Sequence, residues 1–242
     1  HCEMSELFLS KGKHVFCEKP MGVNRSEMDR MLAAQRKSGR QLAIDFEMRA
    51  SSACRRMKEI AASGELGGLK GIEFIHHRGG WLAEGNMIWR TDPARSGGLY
   101  FMEPCHEVDF FRWIMGEITH VQSFKTPNVL TQYPENMPDN VFSHFFFEGG
   151  AIGHLSTTHS LSVFTAPLDK YDELGHDMCF VVTGDAGAMR LDCIGEKLLV
   201  VKFAEYPKGT HGKRVELDRF ETFKGSDSFH DIEGNRLAFL KS

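Results

Sequence analysis

The sequence predicts an α/β unit followed by an α+β unit: a partial Rossmann-type parallel sheet, then a mostly antiparallel sheet domain backed by helices. Three observations carry this. The first 48 residues alternate helix and strand patterns, which implies parallel strands joined by helical crossovers. The chain after Gly116 reads as a series of short strands, with hairpin turns at Glu148-Gly149-Gly150 and Asp185-Ala186-Gly187. Between these parts lies a strongly apolar helix, Leu99–Met115, able to back a sheet. We divide the chain at residues 1–48 and 49–242.

Each element has a local reason. Glu3–Ser10 is a short helix with Met4, Leu7 and Phe8 on one face, closing at Lys11-Gly12. His14–Cys17 is an apolar strand that runs into Glu18-Lys19-Pro20-Met21. Ligands of open α/β sheets sit outside the carboxyl ends of strands, which puts Lys19 where a ligand would be. A surface lysine at a strand–loop boundary is the equal alternative. Pro20 forces a turn, and a cis Lys19-Pro20 bond costs only about 0.5–1 kcal/mol. Asn24 or Ser26 caps a helix reaching about Ser38, with Met28, Met31, Leu32 and Gln35 at helical spacing and Gly39 as the stop. Gln41–Phe46 is the second strand. Arg49 stands just past its end, as a fixed cation for a substrate oxygen or cofactor phosphate, or in a salt bridge to Glu47 or Asp45. Ser51 or Ser52 caps the next helix, through Met57 and Ile60 to Ala62, and Ser63–Gly68 ends it.

Leu69–His77 reads as a long strand. Arg78–Gly98 is loop, and its Trp81 and Trp89 either wall a pocket or plug the loop onto the core. Pro104 breaks the Leu99–Met115 helix early. Glu103, His106 and Asp109 follow at three-residue spacing and share a face. A carboxylate–imidazole–carboxylate stripe on an apolar helix must be satisfied or functional, because unpaired buried charge is costly. The strands that follow are Ile118–Lys125, Val141–Phe147, Ala151–His159, Cys179–Thr183, Ala188–Asp192 and Lys197–Phe203.

Composition narrows the function classes. The 242 residues are 41% hydrophobic and 26% charged, ordinary for a globular protein of one large or two small domains. Net charge is −4 with no basic stripe, so neither nucleic acid nor an anionic membrane is expected as a partner. No apolar run reaches the roughly 18 residues of a membrane span. The six cysteines form no C-x-x-C pair, which argues against zinc-ribbon and thioredoxin readings and for a reducing, cytoplasmic location. The twelve histidines are dispersed and form no H-E-x-x-H. His76 and His77 are adjacent on a strand and point to opposite faces, so they are a weak metal candidate and no metal is expected. The sequence opens on His1 inside a helical pattern and closes on Arg236–Ser242 inside another, so we expect a fragment cut at both ends.

Gly12–Pro20, with its Glu18-Lys19-Pro20 segment, resembles the Gfo/Idh/MocA oxidoreductases, the family of glucose–fructose oxidoreductase and inositol dehydrogenase. Ser63–Gly67, Trp89–Pro93 with Ser96-Gly97-Gly98, Cys105–Asp109 with Trp113 and Gly116, and Phe180–Gly187 resemble later segments of that family in the same order. The resemblance covers nearly the whole chain. It implies that residues 1–48 are the C-terminal part of a Rossmann dinucleotide-binding domain and that 49–242 form a substrate and oligomerisation domain. It also implies an NAD(P)-dependent dehydrogenase or reductase acting on a sugar, polyol or related compound, with NAD or NADP as cofactor and a homo-oligomer when complete. Lys19 and His106 are then the catalytic groups. Glu18, Lys19, Pro20 and Arg49 are expected at the cofactor, and Trp89, Arg90, Glu103 and Asp109 at the substrate. Two departures stand out. Family members often carry a carboxylate four residues before the histidine, where this sequence has Met102, with Glu103 one residue later. The Gly-x-Gly-x-x-Gly turn that cradles a pyrophosphate is absent from the sequence, so the fragment is expected to be inactive alone. A non-catalytic cofactor-sensing or binding protein on the same scaffold is the alternative.

Overall fold

The computed structural model describes residues 1–79, 85–160, 177–205, 213–223 and 231–241. Trp81 lies outside the described residues, as does Ser242. The chain begins with α1 (Cys2–Ser10), β1 (Val15–Cys17), α2 (Arg25–Ser38) and β2 (Leu42–Ile44). The two strands pair in parallel, with Val15 opposite Leu42 and Cys17 opposite Ile44, as the alternating pattern requires. Asn24 caps α2 by accepting a hydrogen bond from the Glu27 amide at 3.0 Å. The Glu27 carboxylate in turn accepts from the Val23 amide at 3.0 Å, so the first turn closes reciprocally. Gly39 ends the helix at φ 65, a conformation that only glycine adopts without strain.

The face of α1 that carries Met4, Leu7 and Phe8 is the exposed one. The buried residues of the helix are Cys2, Ser5 and Leu9, while Met4, Leu7 and Phe8 are 55%, 48% and 46% exposed. Cys2 packs with Cys17 and Met31 in a small core, so contact with β1 and α2 sets the helix rotation rather than the largest apolar residues.

β2 leads through a one-turn 3-10 helix, Glu47–Arg49, into α3 (Ser52–Ser63), which Ser51 caps. The larger sheet contains β3 (Leu69–His77), β4 (Ile118–Lys125), β5 (Asn140–Phe147), β6 (Ile152–Thr158), β7 (Asp177–Gly184), β8 (Gly187–Asp192), β9 (Lys197–Glu205) and β10 (Lys213–Thr222). Their order is β10-β9-β8-β7-β3-β6-β5-β4. Only β3 and β6 run parallel among these neighbours, so the sheet is mostly antiparallel as predicted. β10 went unseen in the sequence because charged residues interrupt its apolar positions.

The predicted helix over Leu99–Met115 is two helices, α5 (Leu99–Met102) and α6 (Cys105–Met115), preceded by α4 (Pro93–Ser96). Pro104 has no amide hydrogen, so the hydrogen-bond ladder is interrupted between the two helices. α3 and α6 cover one face of the sheet. Met57, Ile60, Phe110 and Phe111 are fully buried there against Ile72, Phe74, Phe180 and Val182. Each such side chain contributes about 1.5–3 kcal/mol by leaving water. The rings of Phe74 and Phe110 lie 4.0 and 4.5 Å from that of Phe180.

Several contacts tie the small parallel unit to the rest. α7 (Ile232–Lys241) returns to it: the Phe239 ring is 5.4 Å from that of Phe16, and Asn235 donates to buried Asp45 at 2.7 Å. Gly97 brings the α4–α5 corner against the loop after β1. At φ 80, a Cβ there would stand 2.9 Å from Phe101 and 3.0 Å from the Val23 carbonyl oxygen.

Candidate active site

Lys19 leaves the carboxyl end of β1 on a loop whose Lys19-Pro20 peptide is cis. Its Nζ donates to the Met102 carbonyl oxygen at 2.5 Å. An ammonium has three donors, so this bond fixes the group and leaves two for a ligand. Lys19 borders two cavities. One, of about 240 Å³, is walled by Glu47, His76, Arg78, Glu103, His106 and Glu107. The other, of about 170 Å³, meets Pro20, Val23, Trp89 and Met102.

The first cavity is densely charged. His106 is buried on α6, and its Nε2 lies 3.9 Å from Glu47 Oε1. His76 projects from β3, with Nδ1 3.2 Å from Glu107 Oε1 and Nε2 4.0 Å from Glu103 Oε2. Arg78 donates to Glu103 Oε1 at 2.9 Å. Burial pushes the Glu107 carboxyl up, but the charge and hydrogen bond of His76 outweigh it, and the group is held below its ordinary value. Glu103 behaves alike: burial raises it, and His76, Arg78 and Lys19 pull it below the usual range. On the opposite face of β3, His77 meets the Ser156 hydroxyl at 2.7 Å. Burial, then the charge of His76, lowers its imidazole to about 4.

Of the residues expected from sequence, Lys19, Glu103 and His106 meet in this cavity. Pro20 and Trp89 stand on the other side of Lys19. Glu18 is exposed beside Lys19 and borders neither space. Arg49 and Asp109 find each other: Nε donates to Oδ2 at 2.6 Å and Nη2 to Oδ1 at 2.9 Å, and the guanidinium lies 5.4 Å from the Trp113 ring centroid. The structure thus brings Arg49 to Asp109, and Asp109 lines a separate, mostly apolar hollow with Phe46, Tyr100 and Val108. Arg90 sits 5.7 Å from the centroid of the Trp89 ring.

Sequence reasoning missed Glu47, Arg78 and Glu107 as cavity residues, and held His76 only as a weak metal candidate. One signal was available for β3. Alternation along the strand puts Phe74 and His76 on the core side, and Arg78 continues in phase. Among the described residues, no group of three His, Cys, Asp or Glu side chains is arranged to hold a metal ion.

The fit to a nicotinamide dinucleotide differs at its two ends. The hollow beside Lys19 has apolar lining at Pro20, Val23, Trp89 and Met102 and polar lining at His1, Glu27, Arg95 and Ser96, a mixed wall that suits a ring carrying an amide. Phosphates dock at helix N-termini that follow strands. The N-terminus of α2 is closed by its own Asn24 and Glu27, so no described residue here is assigned to the phosphates.

Comparison with known proteins places this geometry in context. Residues 1–46 match a family model described as an oxidoreductase family with an NAD-binding Rossmann fold, and residues 54–190 match the GFO/IDH/MocA C-terminal domain. The 1,5-anhydro-D-fructose reductase of Ensifer adhaerens is 25% identical over 211 residues, 87% of this chain and 56% of that protein. The myo-inositol 2-dehydrogenase of Thermotoga maritima is 24% identical over 231 residues, 91% of this chain and 61% of that protein. The chain therefore spans little more than half the length of these curated relatives. A levoglucosan dehydrogenase solved with NADH and levoglucosan superposes with a TM-score of 0.70 at 21% identity, covering 90% of this chain and 58% of that one.

Proposed function

The chain belongs to the Gfo/Idh/MocA oxidoreductase family, and from that membership and the Lys19–His106 cavity we propose that it serves hydride transfer between a sugar or polyol carbon and a nicotinamide dinucleotide. The observation that carries this is convergence: a lysine at the end of β1 and a histidine on α6 border one small charged cavity, although 87 positions separate 19 from 106. When bound, NAD or NADP would accept or return a hydride at its nicotinamide ring.

The chain's own residues supply the rest. A carbinol oxygen beside Lys19 loses its proton as the carbon loses hydride, and the carbonyl bond forms from the O–H electron pair. The Lys19 ammonium steadies the negative charge that develops on that oxygen. His106 is placed to take the proton, and to return it in the reverse reaction. His76, Arg78 and Glu103 offer donors and acceptors for further hydroxyls, as a polyol requires. Trp89 and Val23 give an apolar wall on the far side of Lys19.

The family relatives support the substrate class, since those named above act on an anhydro-fructose and on myo-inositol by their names. The test is absorbance at 340 nm with NAD or NADP and a panel of polyols and sugars. A substrate-dependent signal is expected in the intact protein, with Lys19→Met lower by about 10²–10⁴-fold. Near-wild-type turnover in that variant would remove Lys19 from the reaction.

Two further readings belong with this one. We place the protein in a reducing, cytoplasmic setting, which its six free thiols support. No described helix is long and apolar enough to cross a membrane. We also infer a homo-oligomer formed through the sheet face turned away from α3 and α6. Strand alternation sets Phe124, Phe146 and Ile152 on that face, at 56%, 36% and 49% exposure.

A further inference from the structure

Three carboxylates wall the cavity that holds His106: Glu47, Glu103 and Glu107. Glu107 meets His76 at 3.2 Å, and Glu103 takes a hydrogen bond from Arg78 at 2.9 Å. The third, Glu47, brings Oε1 to 3.9 Å from His106 Nε2. Its side chain is 14% exposed and that of His106 6%, so water screens the pair weakly. On the histidine's own chain, the residue one turn earlier is Met102, which has no charge to offer.

The placement of Glu47 is built in. It opens the 3-10 turn Glu47–Arg49, and the next two residues anchor that turn. Met48 is 1% exposed in the main core, and Arg49 grips Asp109 through two hydrogen bonds. Asp109 and His106 lie one turn apart on α6. The short turn therefore meets the helix at two charged points, Arg49 to Asp109 and Glu47 to His106. A bidentate arginine–carboxylate pair fixes orientation as well as distance. The Phe46 ring stands edge-on to His106 at 6.2 Å.

We propose that Glu47 is the positioning residue for His106: its carboxylate orients the imidazole and stabilises the protonated form that His106 adopts on taking the substrate proton. This deepens the hydride-transfer reading and rests on it for the identity of the proton donor. The coupling of the two side chains stands apart from that reading. A carboxylate facing an imidazole favours the imidazolium, so Glu47 raises the proton affinity of His106. Lys19, His76, Arg78, Glu103 and Glu107 are the other charged or titratable groups around the ring. Their cations oppose the effect and their carboxylates add to it. In the oxidation direction, His106 must be neutral to act as base. The acid limb of the kcat/KM profile then marks its titration.

The test is NMR titration of the histidines, labelled with ¹³C and ¹⁵N, in the 242-residue chain without cofactor. Glu47→Gln keeps the shape and removes the charge. The His106 midpoint is expected to fall by about 1 pH unit in this variant, in line with the effect of one close opposite charge. Glu47→Asp is expected to fall between the variant and the wild type. His144, on a distant strand, is expected to keep its midpoint in both. In turnover, Glu47→Gln lowers kcat and moves the acid limb of kcat/KM down with the NMR midpoint, leaving KM little changed. An unchanged His106 midpoint in Glu47→Gln overturns the proposal, even where turnover falls. If Glu47→Gln does not fold by circular dichroism, the Glu47→Asp midpoint decides in the same way. A shifted midpoint in a protein without dehydrogenase activity would keep the coupling and remove the catalytic reading. Turnover in the wild type with no shift in the variant would do the reverse.

Discussion

Replacing Glu107 with Gln changes one atom and removes one buried charge. Glu107 is 1% exposed and its partner His76 is 2% exposed, with 3.2 Å between Oε1 and Nδ1. A hydrogen bond to a charged group stabilises by about 1.5–3 kcal/mol, and a neutral one by about 0.5–1.5. The substitution keeps the second and loses the difference, so Glu107→Gln is expected to cost about 1–2 kcal/mol at pH 7. The pH dependence has a definite sign. The Glu107 carboxyl is held below its ordinary value of 4.5, so the unfolded chain binds that proton first as pH falls. Its stabilisation is fully present above that ordinary value and is lost as pH drops through the folded value. The variant therefore loses part of the acid-side slope as well as part of the plateau. Urea unfolding at several pH values between 7 and 3 measures both. A double-mutant cycle with His76→Asn isolates the pair and is expected to give a coupling of about 1–3 kcal/mol. A variant within about 0.5 kcal/mol of wild type at pH 7, with an unchanged acid slope, would show that the pair carries no charge stabilisation.

Two predictions concern the sheet. His77 is lowered to about 4 by burial, so the folded protein stays neutral there while the unfolded chain protonates near 6.5. Stability is expected to fall between those two values as pH drops, by about 3 kcal/mol in full, and His77→Asn should remove that slope in urea titrations. Light scattering behind a sizing column is expected to give a mass at least twice that of one chain, and Phe146→Lys should lower it. A monomeric wild type at working concentration would remove the oligomer.

Local signals were legible from the sequence. Asn24, Gly39, Ser51 and Gly64 mark helix ends by side-chain chemistry or by a left-handed backbone that favours glycine, and all four act at those places. β3 and β4 were placed correctly, residue for residue, because their apolar alternation and flanking turns are clear. Lys19 and His106 were singled out by a charged strand end, an ionisable stripe on an apolar helix and the family resemblance, and both border one cavity. What stayed hidden was long-range. Nothing local to Glu47 says that α6 will lie against it, and nothing local to Arg49 chooses Asp109 over Glu47 or Asp45. The buried face of α1 was likewise not legible: packing partners, rather than the apolar residues alone, choose it. Pro104 was read as a break, and α5 and α6 are indeed separate helices on either side of it.

The central claim is that the Lys19–His106 cavity moves a hydride. The most direct measurement follows the hydrogen itself. The intact protein is incubated with oxidised dinucleotide and polyols deuterated at the carbinol carbons, and the nicotinamide product is analysed by mass spectrometry. The account predicts one deuterium on the reduced ring with at least one polyol, and none with Lys19→Met. A protein that yields no deuterated product with any sugar or polyol, under either NAD or NADP, would contradict it.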